Sequence, residues 1–519
     1  MCGILAVHCN KEEKSIQGIV DGYNHLSNRG PDKGQMIIRE HILGFRRLTI
    51  VDKTANGMQP FCEDGVSVLC NGEIYNHEAL KKEHTLPCKS NCDCECILHL
   101  YKAKGIEFTV NALSGDFAFI IMDGNKMYLA RDRVGVRPLF WGVTKSGNPA
   151  AASYARALTG YCTRVEAMEP GWMSYSSVTE EMDFHAYAPI WETGSVISRE
   201  VAIPLIRETL VKSVKDRLMS DRPIGCLLSG GLDSSLVTAM LCSLIGAENV
   251  RTYSVGIQGS RDLFYAKQVA EFLGTVHHEV LFTPEEGFDS IPCVIRDLES
   301  YDITTVRASV GMWLLSRWIS ENTDDIVILS GEGADELFCG YLYFHYAPCL
   351  DALQNESRRL LGDLHMYDVL RADRCVCSHG LELRVPFLDR EMIKLCLSMV
   401  PELKAPIDGI EKHILRSSFD ADFLPEDVLW RRKDGMSDGI SGDSGKKWYQ
   451  EIQEFVEPLI TDEDAEMSSL PSKEALYYKR VYDELFPCYD PRLEYWMPKW
   501  VESNGDPSGR ILPVFGVAV

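Results

Sequence analysis

The apolar run Ile224-Gly225-Cys226-Leu227-Leu228 feeds into Ser229-Gly230-Gly231-Leu232-Asp233-Ser234-Ser235 and then into the helical pattern Ser234–Ile245. A short apolar strand, a glycine turn and a helix in that order constrain the fold strongly, because a strand buried on both faces needs crossover helices to cover it. The texture repeats on either side. Val201–Leu218 and Leu263–Leu273 read as helices, and Thr252–Val255, Val276–Val280 and Ile326–Leu329 as strands. This alternation predicts an α/β region with a doubly wound parallel sheet. The junction also suits a phosphate: its glycines let backbone N–H groups come close, its serines add hydroxyl donors, and the helix N-terminus supplies positive potential. Asp233 is suited to hold Mg²⁺ there. The lysine of a Walker loop is missing.

The first third has a different texture. Gly3–His8, Ile42–Gly44, Arg47–Val51, Val66–Asn71, Phe117–Met122, Lys126–Ala130 and Pro138–Val143 read as strands, separated by turn signals such as Asn56-Gly57 and Asp123-Gly124-Asn125. Helical periodicity appears in Ile16–Leu26 and Glu95–Lys104. Strands followed by packed helices predict layered sheets. The pattern weakens through Ser174–Ser195, which reads as an interdomain crossing, and the tail from about Thr461 reads as irregular. Two domains are expected, at 2–190 and 200–519.

The 53 Lys and Arg against 76 Asp and Glu give a net charge of −23, which argues against nucleic acid or an anionic membrane as a partner. No run of about 18 apolar residues occurs, and the start Met1-Cys2-Gly3-Ile4-Leu5 lacks the features of a signal peptide. A cytoplasmic location is expected, with most of the eighteen cysteines as free thiols. Removal of Met1 would leave Cys2 with both a thiol nucleophile and an α-amino base, of reference pKa about 8.5 and about 7.7–8.0.

Four motifs follow Cys2-Gly3-Ile4 in order: Arg29-Gly30-Pro31-Asp32, Arg47-Leu48-Thr49-Ile50-Val51-Asp52, Asn71-Gly72-Glu73-Ile74-Tyr75-Asn76 and Arg131-Asp132-Arg133-Val134-Gly135-Val136-Arg137-Pro138-Leu139. Together they resemble the glutaminase domain of class II, N-terminal-nucleophile glutamine amidotransferases. The resemblance implies an αββα sandwich of α+β class. Attack by a thiolate on an amide develops an oxyanion, for which the Asn71 side chain and the Gly72 N–H are suitable donors. Arg47 suits the glutamine carboxylate. Asp93 and Glu73 suit its ammonium and side-chain end, and Ile50 completes the implied pocket.

Cys88, Cys92, Cys94 and Cys96 are numerous enough for a zinc site but form no paired C-x-x-C knuckle. In the family this stretch carries the glutamine-binding acid, so no structural metal is expected.

Further motifs extend the resemblance to nearly the whole chain: Tyr301-Asp302-Ile303-Thr304-Thr305-Val306-Arg307, Ser330-Gly331-Glu332-Gly333-Ala334-Asp335-Glu336, Glu411-Lys412-His413, Trp430-Arg431-Arg432-Lys433, Trp496-Met497-Pro498-Lys499-Trp500 and Asp506-Pro507-Ser508. They resemble the ATP-pyrophosphatase domain of glutamine-hydrolysing asparagine synthetases. The implied substrates are glutamine, aspartate and ATP, with Mg²⁺ on Asp233 and Asp335. Ser229, Gly230, Gly231, Ser234, Leu227, Val255, Ser330 and Gly331 are the implied ATP contacts, and Thr304, Thr305 and Arg307 the aspartate contacts. Glu332 and Lys433 are the implied catalytic groups, acting on a β-aspartyl-AMP intermediate with ammonia channelled from Cys2. A homodimer is the family expectation.

The departures from the family pattern are Tyr154 where an acid is usual, Cys92 in place of a serine, and Asp434-Gly435 after Lys433. Two other readings remain: an amidotransferase acting on another carboxylate, and a non-catalytic glutamine or nucleotide sensor.

Overall fold

The computed structural model describes residues 1–187, 197–420, 422–433, 436–487, 489–491 and 493–501 of the chain. Asp434-Gly435, Asp506-Pro507-Ser508 and the heart of the expected crossing, 188–196, lie outside the described residues.

The first part is built on two six-stranded antiparallel sheets. One runs in the order Cys162–Ala167, Phe140–Thr144, Pro149–Ala152, Gly3–Val7, Ile42–Arg47, Lys33–Ile38. The other runs Glu181–His185, Gly171–Ser176, Lys126–Arg131, Gly115–Asp123, Val66–Ile74, Phe61–Glu63. Period-two alternation sorts their side chains. Ile4 and Ala6 face Leu69, Ile120 and Leu129 in the core between the sheets, whereas Leu5 and Val7 face outward beneath the helix Ile16–Asn24. Helices His77–His84 and Glu95–Lys104 cover the other outer face through Leu80, Ile97 and Leu100. The layering is αββα, as the resemblance implies.

The second part holds a five-stranded parallel sheet ordered Val276–Leu281, Arg251–Gly256, Ile224–Leu227, Val327–Leu329, Glu382–Arg384. In sheet order this is 3-2-1-4-5, so the strand order reverses between Ile224–Leu227 and Val327–Leu329. Ligands bind in the crevice outside the carboxyl ends of such a pair. Both loops that follow this pair, Ser229–Ser235 and Ser330–Glu336, are motifs singled out in the sequence.

Three expectations need correction. Gly171–Ser176 and Glu181–His185 are a hairpin completing the second sheet rather than part of a crossing; the outer strand is largely exposed, so its sequence carries little apolar signal. Arg47–Val51 is not a strand. The strand ends at Arg47, whose guanidinium draws the carbonyls of Val51, Asp52 and Thr54 into a curled loop. The tail is not irregular throughout: Lys473–Leu485 is a helix that begins with a Ser472 cap and buries Glu474, Tyr478 and Tyr482.

Candidate active site

Cys2 sits immediately before the central strand Gly3–Val7, half-buried, with its thiol turned to the Leu48 carbonyl at 3.7 Å. Burial pushes that thiol up, and the chain's α-ammonium opposes the shift. Asn71 is wholly buried on the strand Val66–Ile74, and neither its amide nitrogen nor its oxygen has a hydrogen-bond partner among the described residues. A buried amide left unsatisfied is costly unless something arrives to use it. Gly72 has φ +149°, and a Cβ there would lie 2.1 Å from the Asp116 carbonyl of the neighbouring strand. Close strand packing is what demands glycine at that position.

Glu73 and Asp93 are both buried. Burial raises the Glu73 carboxyl well above its usual range; Asp93 and Glu382 push the same way, and Arg384 opposes them from 3.7 Å. Asp93 accepts from the Ile74 N–H at 2.7 Å and is flanked by the thiols of Cys92 and Cys94. The Glu95 carboxylate fixes this turn by accepting from the Lys89 N–H (2.9 Å), the Ser90 N–H (2.7 Å) and the Ser90 hydroxyl (2.6 Å). The Arg47 guanidinium is engaged by its own loop, and the Ile50 carbonyl accepts from the Asp221 N–H at 2.9 Å.

At the second site, Gly231 caps the helix Leu232–Ile245. Ser229 and Ser234 hydroxyls meet at 3.0 Å, and Gly230 has φ +69°, with the backbone of Tyr265 and Ala266 2.4 Å from where a Cβ would be. A Cβ on Gly331 would lie 2.7 Å from the Ser234 nitrogen, so the two loops touch. Leu227 and Val255 lie at the carboxyl ends of adjacent strands. The buried Lys412 ammonium lies 2.6 Å from Asp233 Oδ2 and 2.6 Å from Asp335 Oδ1, while Lys433 donates to Asp335 Oδ2 at 2.6 Å. Burial would raise Asp335, but the two ammonium groups outweigh it and hold the carboxyl well below its usual range. Asp233 Oδ1 is buried without a partner among the described residues. Two carboxylates that already bracket one cation, with an oxygen to spare, fit a hard divalent ion such as Mg²⁺.

Glu332 accepts from Arg371 at 2.9 Å, and burial raises its carboxyl against the influence of that guanidinium. The Asp302 carboxylate caps the helix Ile303–Asn322 by accepting from the Thr305 N–H at 2.8 Å, the Thr304 and Thr305 hydroxyls also donate to it at 2.6 and 2.7 Å, and Arg307 forms a buried ion pair with Glu474. Lys412 and Arg371 were not among the site residues inferred from sequence. Glu411-Lys412-His413 was the available signal for the first; the second lies in no motif.

The two sites meet through one strand. In Glu382–Arg384, the Arg384 carbonyl accepts from the Ser330 N–H at 2.9 Å, its side chain faces Glu73, and Glu382 lies 3.7 Å from the chain's α-ammonium.

A glutamine amidotransferase domain family model matches residues 1–192, and the asparagine synthase family model matches 205–359 and 350–501. The chain is 42% identical to a Rattus norvegicus glutamine-hydrolysing asparagine synthetase, over 99% of this chain and 98% of the relative. The Mus musculus enzyme of the same name is 41% identical over the same shares, and the Homo sapiens one 40% identical over 100% of each chain. With likeness of this order running from end to end, the chain belongs to the glutamine-hydrolysing asparagine synthetase family.

Proposed function

We propose that the chain makes asparagine from aspartate, ATP and glutamine by two half-reactions, the first in a unit spanning 2–190 and the second in a unit spanning 200–519. In the first, the Cys2 thiolate, freed of Met1, attacks the glutamine carboxamide, ammonia leaves, and water releases glutamate from the thioester. The α-amino group takes the thiol proton. Asn71 and the Gly72 N–H stabilise the oxyanion, and the unpartnered Asn71 amide supports that role. Asp93 and Glu73 receive the ammonium and side-chain end of glutamine; Arg47 and Ile50 line the carboxylate end.

In the second, the aspartate β-carboxylate attacks the α-phosphorus of ATP, giving β-aspartyl-AMP and pyrophosphate. The Ser229–Ser235 loop binds the leaving phosphates, Lys433 neutralises charge developing on them, and Leu227, Val255, Ser330 and Gly331 contact the nucleotide. Asp233 and Asp335 would hold Mg²⁺, which when bound supplies a further positive charge against the triphosphate. The segment Thr304–Arg307 receives aspartate, exchanging an internal carboxylate for the substrate's. Ammonia then attacks the acyl carbon, AMP leaves, and Glu332 takes the proton.

Ammonia must travel between the sites unprotonated, since ammonium has no lone pair. The observation that carries this reading is Arg384, bonded by its backbone to Ser330 of the ATP loop while its side chain faces Glu73 of the glutamine pocket. The deciding assay is conversion of ATP to AMP and pyrophosphate with aspartate against a panel of other carboxylates. Turnover limited to aspartate is expected. ADP as product, or preference for another acceptor, overturns the reading.

A further inference from the structure

Folding divides the cysteine run between 88 and 96. Cys92 and Cys94 turn to the two sides of Asp93, and one ligand atom from each of the three residues lies within 4.8 Å of the others, all buried. The Cys92 Sγ to Asp93 Oδ1 distance is 3.7 Å and the Cys94 Sγ to Asp93 Oδ2 distance 3.5 Å. Tetrahedral zinc, with Zn–S about 2.3 Å and Zn–O about 2.1 Å, sets its ligand atoms roughly 3.5–3.8 Å apart. Each thiol therefore stands at zinc-ligand spacing from one oxygen of the Asp93 carboxylate before any metal arrives, with the three ligand atoms within 4.8 Å of one another. The shape of the turn does not depend on a metal, because Glu95 braces it through Lys89 and Ser90.

The trio is the whole cluster within 4.8 Å among the described residues, and the nearest further thiols are Cys70, on the strand that carries Asn71 and next to Cys94, and Cys2, next to Cys92. We propose that Cys92, Asp93 and Cys94, completed by Cys70 or Cys2, form a binding site for a thiophilic divalent cation of the zinc class. Each bound thiol loses its proton to solvent and no electron is transferred.

Occupancy has a consequence that rests on the role given above to Asp93. A metal on that carboxylate removes the acceptor for the glutamine ammonium, so it blocks release of ammonia while leaving synthesis from free ammonia intact.

The test titrates Co²⁺, a spectroscopic surrogate for zinc, into the full-length enzyme under a non-thiol reductant. Wild type should show the thiolate-to-cobalt charge-transfer band saturating at one ion per chain and displaced by Zn²⁺. Cys92→Ser should weaken binding roughly 10–100-fold or more while its metal-free glutamine turnover stays at the wild-type level, which also reports that it is folded. Cys88→Ser should keep the band. Absence of the band in wild type, or its saturation in Cys92→Ser at the same Co²⁺ concentration as in wild type, overturns the site. If Zn²⁺ blocks glutamine turnover equally in Cys92→Ser, the ion is acting on Cys2 alone and the proposal also falls. A band with glutamine turnover unimpaired keeps the site and instead removes Asp93 from glutamine recognition.

Discussion

Arg29 donates from Nη1 to Asp373 Oδ2 at 2.9 Å, with both side chains buried, and its Nε reaches the Cys2 carbonyl at 3.1 Å. Arg137 takes the other oxygen of Asp373 at 3.2 Å. One carboxylate from the second part of the chain thus collects two guanidiniums from the first, and the backbone of the proposed nucleophile is held by one of them. The interface therefore also positions the backbone of Cys2.

Removing that carboxylate leaves the buried Arg29 without its counter-charge and takes from Arg137 one of the three carboxylates that face it. Asp373→Asn should lose about 3–5 kcal/mol of stability. Burial pushes Asp373 up, but Arg29 and Arg137 outweigh it and hold its carboxyl below the usual value. Its contribution is therefore complete above about pH 3.9 and is lost as the pH falls through the lower folded value. Urea unfolding of both proteins at several pH values should show a gap that narrows only in acid. A gap independent of pH would remove Asp373 as the titrating group.

Asn71→Leu separates stability from catalysis. The buried Asn71 amide has no partner among the described residues, so an apolar side chain of similar size should leave the thermal midpoint unchanged or raise it. Glutaminase kcat should fall about 10²–10³-fold, the loss typical of one oxyanion donor. Cys2→Ala should abolish glutamine-dependent synthesis outright. In both variants ammonia-dependent synthesis should persist, and its loss would contradict a division of labour between the sites.

Cys2, Asn71, Asp233 and Lys433 stand out in the sequence because the chemistry proposed for them needs one residue type inside a short motif. The parallel sheet was legible for a similar reason, since its strands are continuous apolar runs between helices. Gly72 stands out as a proposed oxyanion donor, whereas the packing that demands glycine there, against the backbone at Asp116, belongs to the neighbouring strand and was hidden. Partners far apart in the chain were hidden. Lys412 lies 179 residues from Asp233, and Arg307 lies 167 from Glu474, so nothing local announces either pair. Cys70 joins Cys92 and Cys94 only once the strand Val66–Ile74 packs against the turn before the helix Glu95–Lys104.

Lys412 stands between the two carboxylates proposed for Mg²⁺. Lys412→Met should leave Asp233 unpaired and cost about 3 kcal/mol in metal-free buffer. Added Mg²⁺ should recover more of the thermal midpoint in this variant than in wild type, because the ion supplies the missing positive charge. Equal Mg²⁺ responses in the two proteins would separate Lys412 from the cation site. Lys433→Ala should spare glutaminase activity and stop pyrophosphate release; unchanged release would take Lys433 out of the chemistry.

In the proposed reaction Glu332 takes a proton from the attacking nitrogen, which it can do only while ionised, so the rate of amide formation should fall as the pH drops through its raised pKa. Burial sets that rise and Arg371, 2.9 Å away, limits it. Arg371→Leu removes the limit. The acid limb of ammonia-dependent synthesis should then move to higher pH, with kcat partly recovered in alkaline buffer, and Arg371→Lys should return the limb toward its original position. A guanidinium that served packing alone would lower the rate at every pH without moving the limb. Glu332→Gln should eliminate the limb together with amide formation, yet retain aspartate-dependent exchange of pyrophosphate into ATP, because adenylation precedes the proton transfer. Loss of that exchange would place Glu332 in nucleotide binding instead.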